Sequence, residues 1–437
     1  MQKLYKLFVI ISALAIPVIA NSASLRVTVP SGTPVPVKVD VASSTGLTAV
    51  YVVADMTNVS ITYTPDSPNS AVQWKRFYNR GGGYAEDLTE TGNTIAVNKG
   101  DCGYIADEDG RQTCVWIVDY SKHQLALNGL SIADDKDCGR AVIDIDGNAE
   151  PIEYYTVNGR RMEVSRGMTA RWYTMVFAEE AFEWQQAHTE ATIDAAENGH
   201  FSITAPLCNT TLTLTGDRFL QAWGQPLTAE SPEIAAFAVD CQTTAEQQGD
   251  IPDNTIGGSA DDGALGGSAP AVITFKAAVS DAAIFTEWQF SRTSDFEDIQ
   301  LRSNDTEYTH TFDDLGTTYV RFVCANASGE CTAQGIDYTV NIGESALLCP
   351  NAFSPGASEG VNDIWKVSYK SLVKFECTIF NRWGKKLHHF TNPADGWDGK
   401  MGGKVVPAGV YYYVITATGS DGKHYNLKGD INIVNYK

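Results

Sequence analysis

The stretches Leu25-Arg26-Val27-Thr28-Val29 and Val35-Pro36-Val37-Lys38-Val39-Asp40-Val41 alternate between apolar and polar residues. Because successive side chains of a β-strand point to opposite faces, this alternation places one set of side chains in a core and the other in water. Similar patterning predicts further strands at 115–118, 152–157, 172–177, 201–205, 211–215, 272–276, 318–324, 336–342 and 410–417. Asn-Gly and Asp-Gly pairs, which suit tight turns, stand at 158–159, 198–199, 398–399 and 421–422. The sequence therefore predicts an all-β, multidomain chain of sandwiches.

The size and charge of the chain limit what it can be. Its 437 residues are enough for three or four domains, and 43% hydrophobic and 19% charged residues are typical of globular proteins. The formal net charge is −21, with 32 Lys and Arg residues against 53 Asp and Glu residues. Such a surface repels phosphate groups and anionic lipids, so we expect no nucleic-acid partner.

The N-terminus resembles an export signal. Lys3 and Lys6 precede a mostly apolar stretch from Leu7 to Ile19, and Val18-Ile19-Ala20 supplies small residues for cleavage. We expect a signal peptide over 1–20, with a second cleavage option after Ala23. No later stretch approaches eighteen apolar residues, so we expect no membrane span in the mature chain.

The nine cysteines all lie beyond this segment, as expected for a protein that reaches an oxidising compartment. Three pairs are candidate disulfides because each flanks a turn signal or lies in one domain: Cys324 with Cys331, Cys102 with Cys114, and Cys349 with Cys377. Cys138, Cys208 and Cys241 are left over, of which two can bond. Connectivity is not fixed by spacing.

A compositional break divides the chain. Residues 243–270 contain six Gly and five acidic residues and no Lys or Arg, which predicts a flexible linker. Before it, we expect an Ig-like sandwich at 21–120, with Trp74 as a core residue and Gly103-Tyr104 at a corner, and a β-rich domain of unknown family at 121–242. The Glu- and Ala-rich stretch 178–197 is the one predicted helix.

Residues 271–345 resemble a polycystic kidney disease (PKD) module. The matching residues are Glu287-Trp288-Gln289-Phe290, Tyr308-Thr309-His310-Thr311-Phe312 and Gly316-Thr317-Thr318-Tyr319-Val320. Ser291-Arg292-Thr293 replaces the family's acidic-glycine turn. The resemblance implies a small β-sandwich that serves as a spacer or contact module and has no catalytic role.

Residues 349–437 carry a series of motifs in register, which runs from Pro350-Asn351-Ala352-Phe353-Ser354-Pro355 to Lys428-Gly429-Asp430-Ile431. Their order and spacing resemble the gliding-motility-associated C-terminal domain, the type B sorting domain of the Bacteroidota type IX secretion system. The resemblance implies a small sandwich that the outer-membrane secretion machinery reads after Sec export. The motif residues are Pro350, Asn351, Phe353, Pro355, Asn362, Asp363, Asn381, Arg382, Trp383, Gly384, Trp397, Asp398, Gly399, Pro407, Gly409 and Tyr411.

One loop departs from that family. Gly356-Ala357-Ser358-Glu359-Gly360 stands where the family has Asn-Gly-Asp-Gly, which puts a cation-binding role of this loop in doubt. We expect Asn362-Asp363 to close a turn through side-chain hydrogen bonds, and the tryptophans and Tyr411–Tyr413 to build the core. Any of these residues that remain exposed would serve recognition.

No motif predicts catalysis. Gly356–Gly360 matches G-x-S-x-G, but this motif needs a strand–turn–helix setting that an all-β chain does not offer. None of the seven histidines forms H-E-x-x-H, and His388-His389 would point to opposite faces of a strand. We expect no catalytic residue, cofactor or metal ligand. Structural calcium is the alternative for the acidic clusters Asp107–Asp109, Asp134–Asp137 and Asp144–Asp146.

Exposed aromatic residues could bind glycans, which is a further alternative for the function of the chain. One member of Tyr154-Tyr155 and one of Trp172-Tyr173 should face outward and offer a surface for glycans.

Taken together, the sequence predicts a secreted or cell-surface protein, exported by the type IX route, with an adhesin-like or structural contact role toward an unknown protein or glycan. The alternative is a secreted hydrolase or glycan-binding accessory protein with its active part in 121–241.

Overall fold

The computed structural model describes residues 24–65, 71–134, 137–196, 198–249, 252–257, 264–357 and 360–434. The predicted signal peptide lies outside these residues. The described chain forms thirty-six strands, one α-helix, α1 (Arg218–Ala222), and three 3₁₀ helices, Ser43–Thr45, Gly82–Tyr84 and Tyr120–Lys122. The predicted all-β fold is confirmed.

The first domain is a two-sheet sandwich. One sheet has the order β1-β4-β7 and the other β2-β3-β9-β8-β5-β6, in which β3 and β9 run parallel. Trp74 is fully buried between the sheets, as expected for the core tryptophan. The strands are β1 (Ser24–Thr28), β2 (Val37–Val39), β3 (Ala49–Val53), β4 (Val59–Thr64), β5 (Val72–Phe77), β6 (Glu86–Asp87), β7 (Thr94–Val97), β8 (Cys102–Glu108) and β9 (Arg111–Asp119).

The six-stranded sheet is covered on both faces, so every residue of β3 is buried. Its second face packs against the next domain, where Trp116 lies 5.8 Å from Tyr155 between ring centroids. Leu47, Val50 and Ile105 share this core with Ile152 and Phe219. Part of residues 121–242 therefore shares a core with residues 21–120.

The second domain packs two larger sheets on each other, β10-β11-β16 and β15-β14-β17-β18, beside the pair β12-β13. Its strands are β10 (Ala126–Ile132), β11 (Arg140–Asn148), β12 (Ile152–Tyr155), β13 (Arg161–Val164), β14 (Met168–Ala178), β15 (Glu183–Ile193), β16 (His200–Thr204), β17 (Thr213–Gly216) and β18 (Leu227–Glu230).

The predicted helix at 178–197 is wrong. Residues 183–193 form β15, which pairs antiparallel with β14 along eleven residues. Strand pairing outweighs the helix propensity of Glu and Ala because β14 offers a full row of backbone hydrogen-bonding groups. The tip of this hairpin reaches the third domain, where Trp184 Nε1 donates a hydrogen bond to Ala278 O at 3.1 Å.

The third domain is the sandwich predicted for 271–345, but it begins earlier. Its sheets are β19-β21-β24 and β20-β27-β25-β22-β23, with β26 paired to β25, and Trp288 is fully buried between them. The strands are β19 (Cys241–Gln247), β20 (Leu265–Gly267), β21 (Ala271–Val279), β22 (Phe285–Ser291), β23 (Ile299–Ser303), β24 (Glu307–Phe312), β25 (Gly316–Ala325), β26 (Thr332–Gln334) and β27 (Tyr338–Ile342).

The linker prediction for 243–270 is therefore wrong at both ends, since β19 and β20 are strands of this domain. One of the glycines, Gly266, serves close packing, since a Cβ there would lie 2.5 Å from Asn341 O. In the middle, Asn254 Nδ2 donates hydrogen bonds to Val367 O and Pro393 O at 2.7 and 2.8 Å, so residues 252–257 lie against the C-terminal domain. Residues 250–251 and 258–263 lie outside the described chain.

One disulfide, Cys138–Cys331, joins the second and third domains across 193 positions of sequence. The predicted Cys324–Cys331 pair is wrong because Cys331 bonds to Cys138. The predicted Cys102–Cys114 pair is also wrong: the two thiols lie on opposite faces of the β8–β9 sheet, in different cores. Cys349 and Cys377 face one core as thiols, and their pairing stays a prediction.

The C-terminal domain has a five-stranded sheet, β29-β36-β35-β31-β32, and the pairs β28-β30 and β33-β34. Its strands are β28 (Ala346–Leu348), β29 (Ala352–Phe353), β30 (Ser368–Lys370), β31 (Leu372–Phe380), β32 (Lys386–Phe390), β33 (Lys400–Met401), β34 (Lys404–Val405), β35 (Gly409–Gly419) and β36 (His424–Ile433). Among the helices that the structure describes, none combines the length and apolarity that crossing a membrane requires.

Candidate recognition surface of the C-terminal domain

Most of the predicted motif residues hold the C-terminal domain together. Phe353 and Trp397 are buried against each other, with ring centroids 5.6 Å apart, and Tyr411 packs on Trp397 at 5.4 Å. Pro350 O accepts a hydrogen bond from Trp365 Nε1 at 2.8 Å, and Asn351 O accepts one from Asn432 N at the same distance. Phe353, Trp397 and Tyr411 therefore build the core, whereas Pro350 and Asn351 are exposed and hold the fold through their backbone carbonyls.

Other motif residues close turns. The carboxylate of Asp363 accepts hydrogen bonds from Gly356 N and Gly360 N at 2.8 and 2.7 Å, which closes the loop as expected. Asn362 adopts a left-handed backbone conformation, with φ +54°. Ser358 and Glu359, which lie between these residues, are outside the described chain.

The segment from Asp398 to Tyr411 is held by local bonds. Partial burial raises the pKa of Asp398, but hydrogen bonds from the side chain and backbone of Lys400 outweigh this effect and leave the pKa lowered. Gly399 has φ +71° and lies against Pro355, where a Cβ would come within 2.9 Å. The Tyr411 hydroxyl donates a hydrogen bond to Pro407 O at 2.7 Å, and Gly409 has φ +149°.

The turn between β31 and β32 differs, because part of it faces water. Asn381 Oδ1 accepts hydrogen bonds from Trp383 N and Lys385 N, each at 3.0 Å, and Gly384 completes the turn with φ +77°. The turn is therefore rigid, yet the Trp383 side chain is 75% exposed. Arg382 lies over its ring at 4.3 Å, an arrangement that combines a cation with an aromatic surface.

A second exposed apolar group lies on the outer face of the five-stranded sheet. Val410, Tyr412 and Val414 alternate with buried residues on β35 and are each about half exposed. Phe380, on β31, stands directly opposite Tyr412. We call Phe380, Val410, Tyr412 and Val414 the outer apolar row.

The sequence analysis missed this row because it assigned Tyr411–Tyr413 to the core. The signal was present: 410–414 reads Val-Tyr-Tyr-Tyr-Val, which is apolar on both faces of one strand. A strand with one face in water ordinarily alternates with polar residues. Tyr413 does lie inside, where burial and the neighbouring Cys349 thiol raise its pKa to about 12.

The C-terminal domain also differs from the rest of the chain in charge. Residues 349–437 contain 11 Lys and Arg against 7 Asp and Glu, whereas the preceding residues contain 21 against 46. The outer apolar row is flanked by exposed lysines, Lys386 opposite Phe380 and Lys428 opposite Val414. A basic domain at the end of an acidic chain is suited to an acidic partner surface.

In their described residues, the acidic clusters considered for calcium do not bring their carboxylates together in one site. Asp107 accepts hydrogen bonds from Lys75 and Gln112, and Glu108 accepts one from Tyr63. Asp144 pairs with His200 at the surface, and Asp137 accepts a hydrogen bond from Gly139 N. In the described parts of the chain, no three His, Cys, Asp or Glu side chains meet in a group that could hold a metal.

Of the two aromatic pairs, only Trp172-Tyr173 presents one ring at the surface. Tyr154 and Trp172 are buried, and Tyr173 is half exposed with its ring edge against His188, at 5.1 Å between centroids. Tyr155 packs on Trp116 in the shared core and is not a surface residue.

Comparison with known families gives a match for the C-terminal domain and for the second domain. Residues 347–433 match the family model of the CHU_C type IX secretion signal domain. The predicted sorting domain is confirmed. Residues 131–231 match a fibronectin type III domain family, which places the second domain, for which the sequence analysis named no family, among Ig-like sandwiches. No curated protein matches the chain.

Several solved structures match 70–94% of this chain at 11–13% identity. A tetra-tandem repeat from the extending region of a large adhesion protein is 13% identical, covers 94% of this chain and 100% of its own, and has a TM-score of 0.20. The FN1-FN3 domains of chicken CNTN1 are 11% identical, with coverages of 70% and 97% and a TM-score of 0.25. A Ca²⁺-stabilised adhesin with which an Antarctic bacterium binds ice is 12% identical, with coverages of 93% and 100% and a TM-score of 0.19.

The secretion signal domain indicates that the chain is exported to the cell surface or the medium and interacts with the type IX secretion machinery. The signal peptide that would begin this route remains a prediction.

Proposed function

We propose that the protein is a non-catalytic contact protein of the cell surface, with an adhesin-like or structural role, whose acidic N-terminal domains are displayed after type IX export. The observation that carries this proposal is the secretion signal domain at 347–433, because such a domain is of use only to a protein that acts outside the cell. The filled sandwich cores of the first three domains are consistent with a contact role.

Within this proposal, the secretion machinery binds the outer apolar row and the Arg382–Trp383 turn. Val410, Tyr412 and Val414 are exposed on the five-stranded sheet and Trp383 on the adjoining turn, with Phe380 partly buried beside them, while the remaining aromatic motif residues are buried. Exposed aromatic residues with an arginine beside them are the composition expected at the centre of a protein interface.

Replacing Tyr412 with Asp should reduce export without unfolding the domain. Tyr412 is 45% exposed, so the change costs little packing, but it places a negative charge in the centre of the row. Removal of a central aromatic contact ordinarily weakens binding by about 2 kcal/mol or more, and we expect at least about a tenfold loss of exported protein. The amount of chain outside the cell, measured by quantitative immunoblot, checks this.

Thr416→Asp is the matched control, since Thr416 is exposed on the same face of β35. It adds the same charge outside the row and should leave export near the wild-type level. Equal export of both variants would contradict the assignment of the outer apolar row.

The contact role is tested by deleting the gene and measuring attachment of cells to surfaces and to one another. Reduced attachment that is restored by the full chain supports the proposal. Unchanged attachment, together with hydrolytic activity of the purified chain on extracellular glycans or peptides, would contradict it in favour of the hydrolase alternative.

A further inference from the structure

Two thiols of the third domain face each other across its core. Cys241 is the first residue of β19, and Cys324 is near the end of β25. The two strands belong to the opposing sheets of the sandwich. Both thiols are 3% exposed and belong to the same core cluster around Trp288.

The strands approach closely at this end of the domain. Tyr338 of β27 donates a hydrogen bond to Thr243 Oγ1 on β19 at 3.0 Å, which joins the two sheets two residues from Cys241. A Cβ on Gly335, which follows β26, would lie 2.5 Å from the Thr243 side chain. Because β26 pairs with β25 at Cys324↔Ala333, this contact brings β19 against the strand pair that holds Cys324.

The two thiol groups interact, which lowers the pKa of Cys324 and raises the pKa of Cys241. The Ala333 backbone N–H also lowers the pKa of Cys324 by donating to its sulfur. The thiolate is the form of a cysteine that attacks a disulfide.

A disulfide already lies close to this pair of thiols in the sequence, which indicates that the chain folds under oxidising conditions. Cys331, which lies seven positions beyond Cys324 on the β25–β26 hairpin, is already in the disulfide with Cys138. An environment that oxidises this pair also oxidises a second pair of adjacent thiols folded in the same compartment.

We propose that Cys241 and Cys324 form a second disulfide in the exported protein. As the domain folds, the thiolate of one of the two cysteines attacks the disulfide of an oxidised dithiol oxidoreductase and displaces one of its sulfurs. The thiolate of the other cysteine then attacks the mixed disulfide and displaces the second sulfur of the oxidoreductase. The two cysteines lose two electrons and two protons, and the oxidoreductase takes up the electrons as its dithiol.

This bond would lie inside the loop that Cys138–Cys331 closes, and it would tie β19 to the opposite sheet. Because β19 is the strand by which the chain enters the third domain, the bond would anchor that entry strand within the domain. It would also leave Cys208 unpaired, buried in the second domain.

The test is alkylation of the full chain, collected from outside the cell and unfolded in denaturant without reductant. Peptide mapping should show loss of alkylation at Cys241 and Cys324 and a linked peptide pair that contains both. Alkylation of both residues, or a link from either one to another cysteine, overturns the proposal.

Two variants strengthen the test. Cys241→Ser should make Cys324 available to alkylation, whereas Cys208→Ser should leave both positions protected. Protection of Cys324 in the Cys241→Ser variant would also overturn the pairing, because it would require a different partner. The wild-type mapping decides the question even where a variant fails to fold.

Discussion

Reduction of the Cys138–Cys331 disulfide is expected to lengthen the fully unravelled chain by about 64–69 nm when the chain is pulled from its two ends. The bond bridges 193 positions of sequence, and tension applied outside it passes through the sulfurs. The residues between the two cysteines, most of the second and third domains, therefore bear no load while the bond is intact. Each extended residue adds roughly 3.3–3.6 Å once the bond is open.

Single-molecule force spectroscopy with and without reductant measures this difference. The Cys138→Ser/Cys331→Ser double variant is the matched control, and it should reach the same final length as the reduced wild type when reductant is present. A wild-type chain that already reaches the full length without reductant would show that the bond is absent. For a surface protein under shear, the bond would protect the central domains from unfolding.

Replacing Asp217 with Ala should destabilise the two N-terminal domains by about 3–5 kcal/mol, because it leaves a buried positive charge without its partner. Arg166 and Asp217 are 1% and 0% exposed and joined at 2.9 Å. Arg166 also donates to Glu150 O and His123 O, and Asp217 accepts from the Tyr120 hydroxyl of the first domain.

The comparison pair is Arg171–Glu190, which has nearly the same length, 3.0 Å, but lies at the surface with side chains 49% and 62% exposed. Glu190→Ala should cost less than about 1 kcal/mol. The free energy of unfolding of the affected domains is measured from hydrogen exchange of the β8 and β9 amides in increasing urea, which reports on these domains separately from the rest of the chain. Equal destabilisation by the two variants would show that the buried pair contributes no more than a surface pair.

Sequence patterning predicted the strands well wherever one face of a sheet meets water. Leu25 and Val27 are buried and Arg26 is exposed, as the alternation requires. The pattern did not predict that β3 and β9 are covered on both faces, since that depends on how the second domain docks. The Glu- and Ala-rich stretch 178–197 was misread for a related reason: its strand form depends on pairing with β14, which local propensity does not contain.

Cysteine pairing was the least predictable feature. The sequence analysis favoured neighbours across turns, yet Cys138 and Cys331 are brought together by the packing of two domains. Cys102 and Cys114 stand on paired strands but point to opposite faces, which follows from their strand register and not from their spacing.

The C-terminal domain was identified from its motifs, but its exposed surface was not. Motif residues such as Trp397 and Phe353 recur because the core and turns need them, so they mark the fold. Of the predicted residues, Arg382 and Trp383 form the exposed turn. The outer apolar row beside this turn was recognised only from the exposure of its side chains in the structure.

The most direct test of the account is where the N-terminal domains go when the C-terminal domain is removed. The full chain and a version that ends at Gly343, after β27, would be produced in a type IX-competent host, and antibodies against the N-terminal domains would probe intact cells, medium and periplasm. We predict that the full chain appears outside the cell and that the shortened chain stays in the periplasm. Equal export of both chains, or retention of the full chain in the periplasm, would contradict the assignment of residues 347–433 as the signal that directs this protein out of the cell.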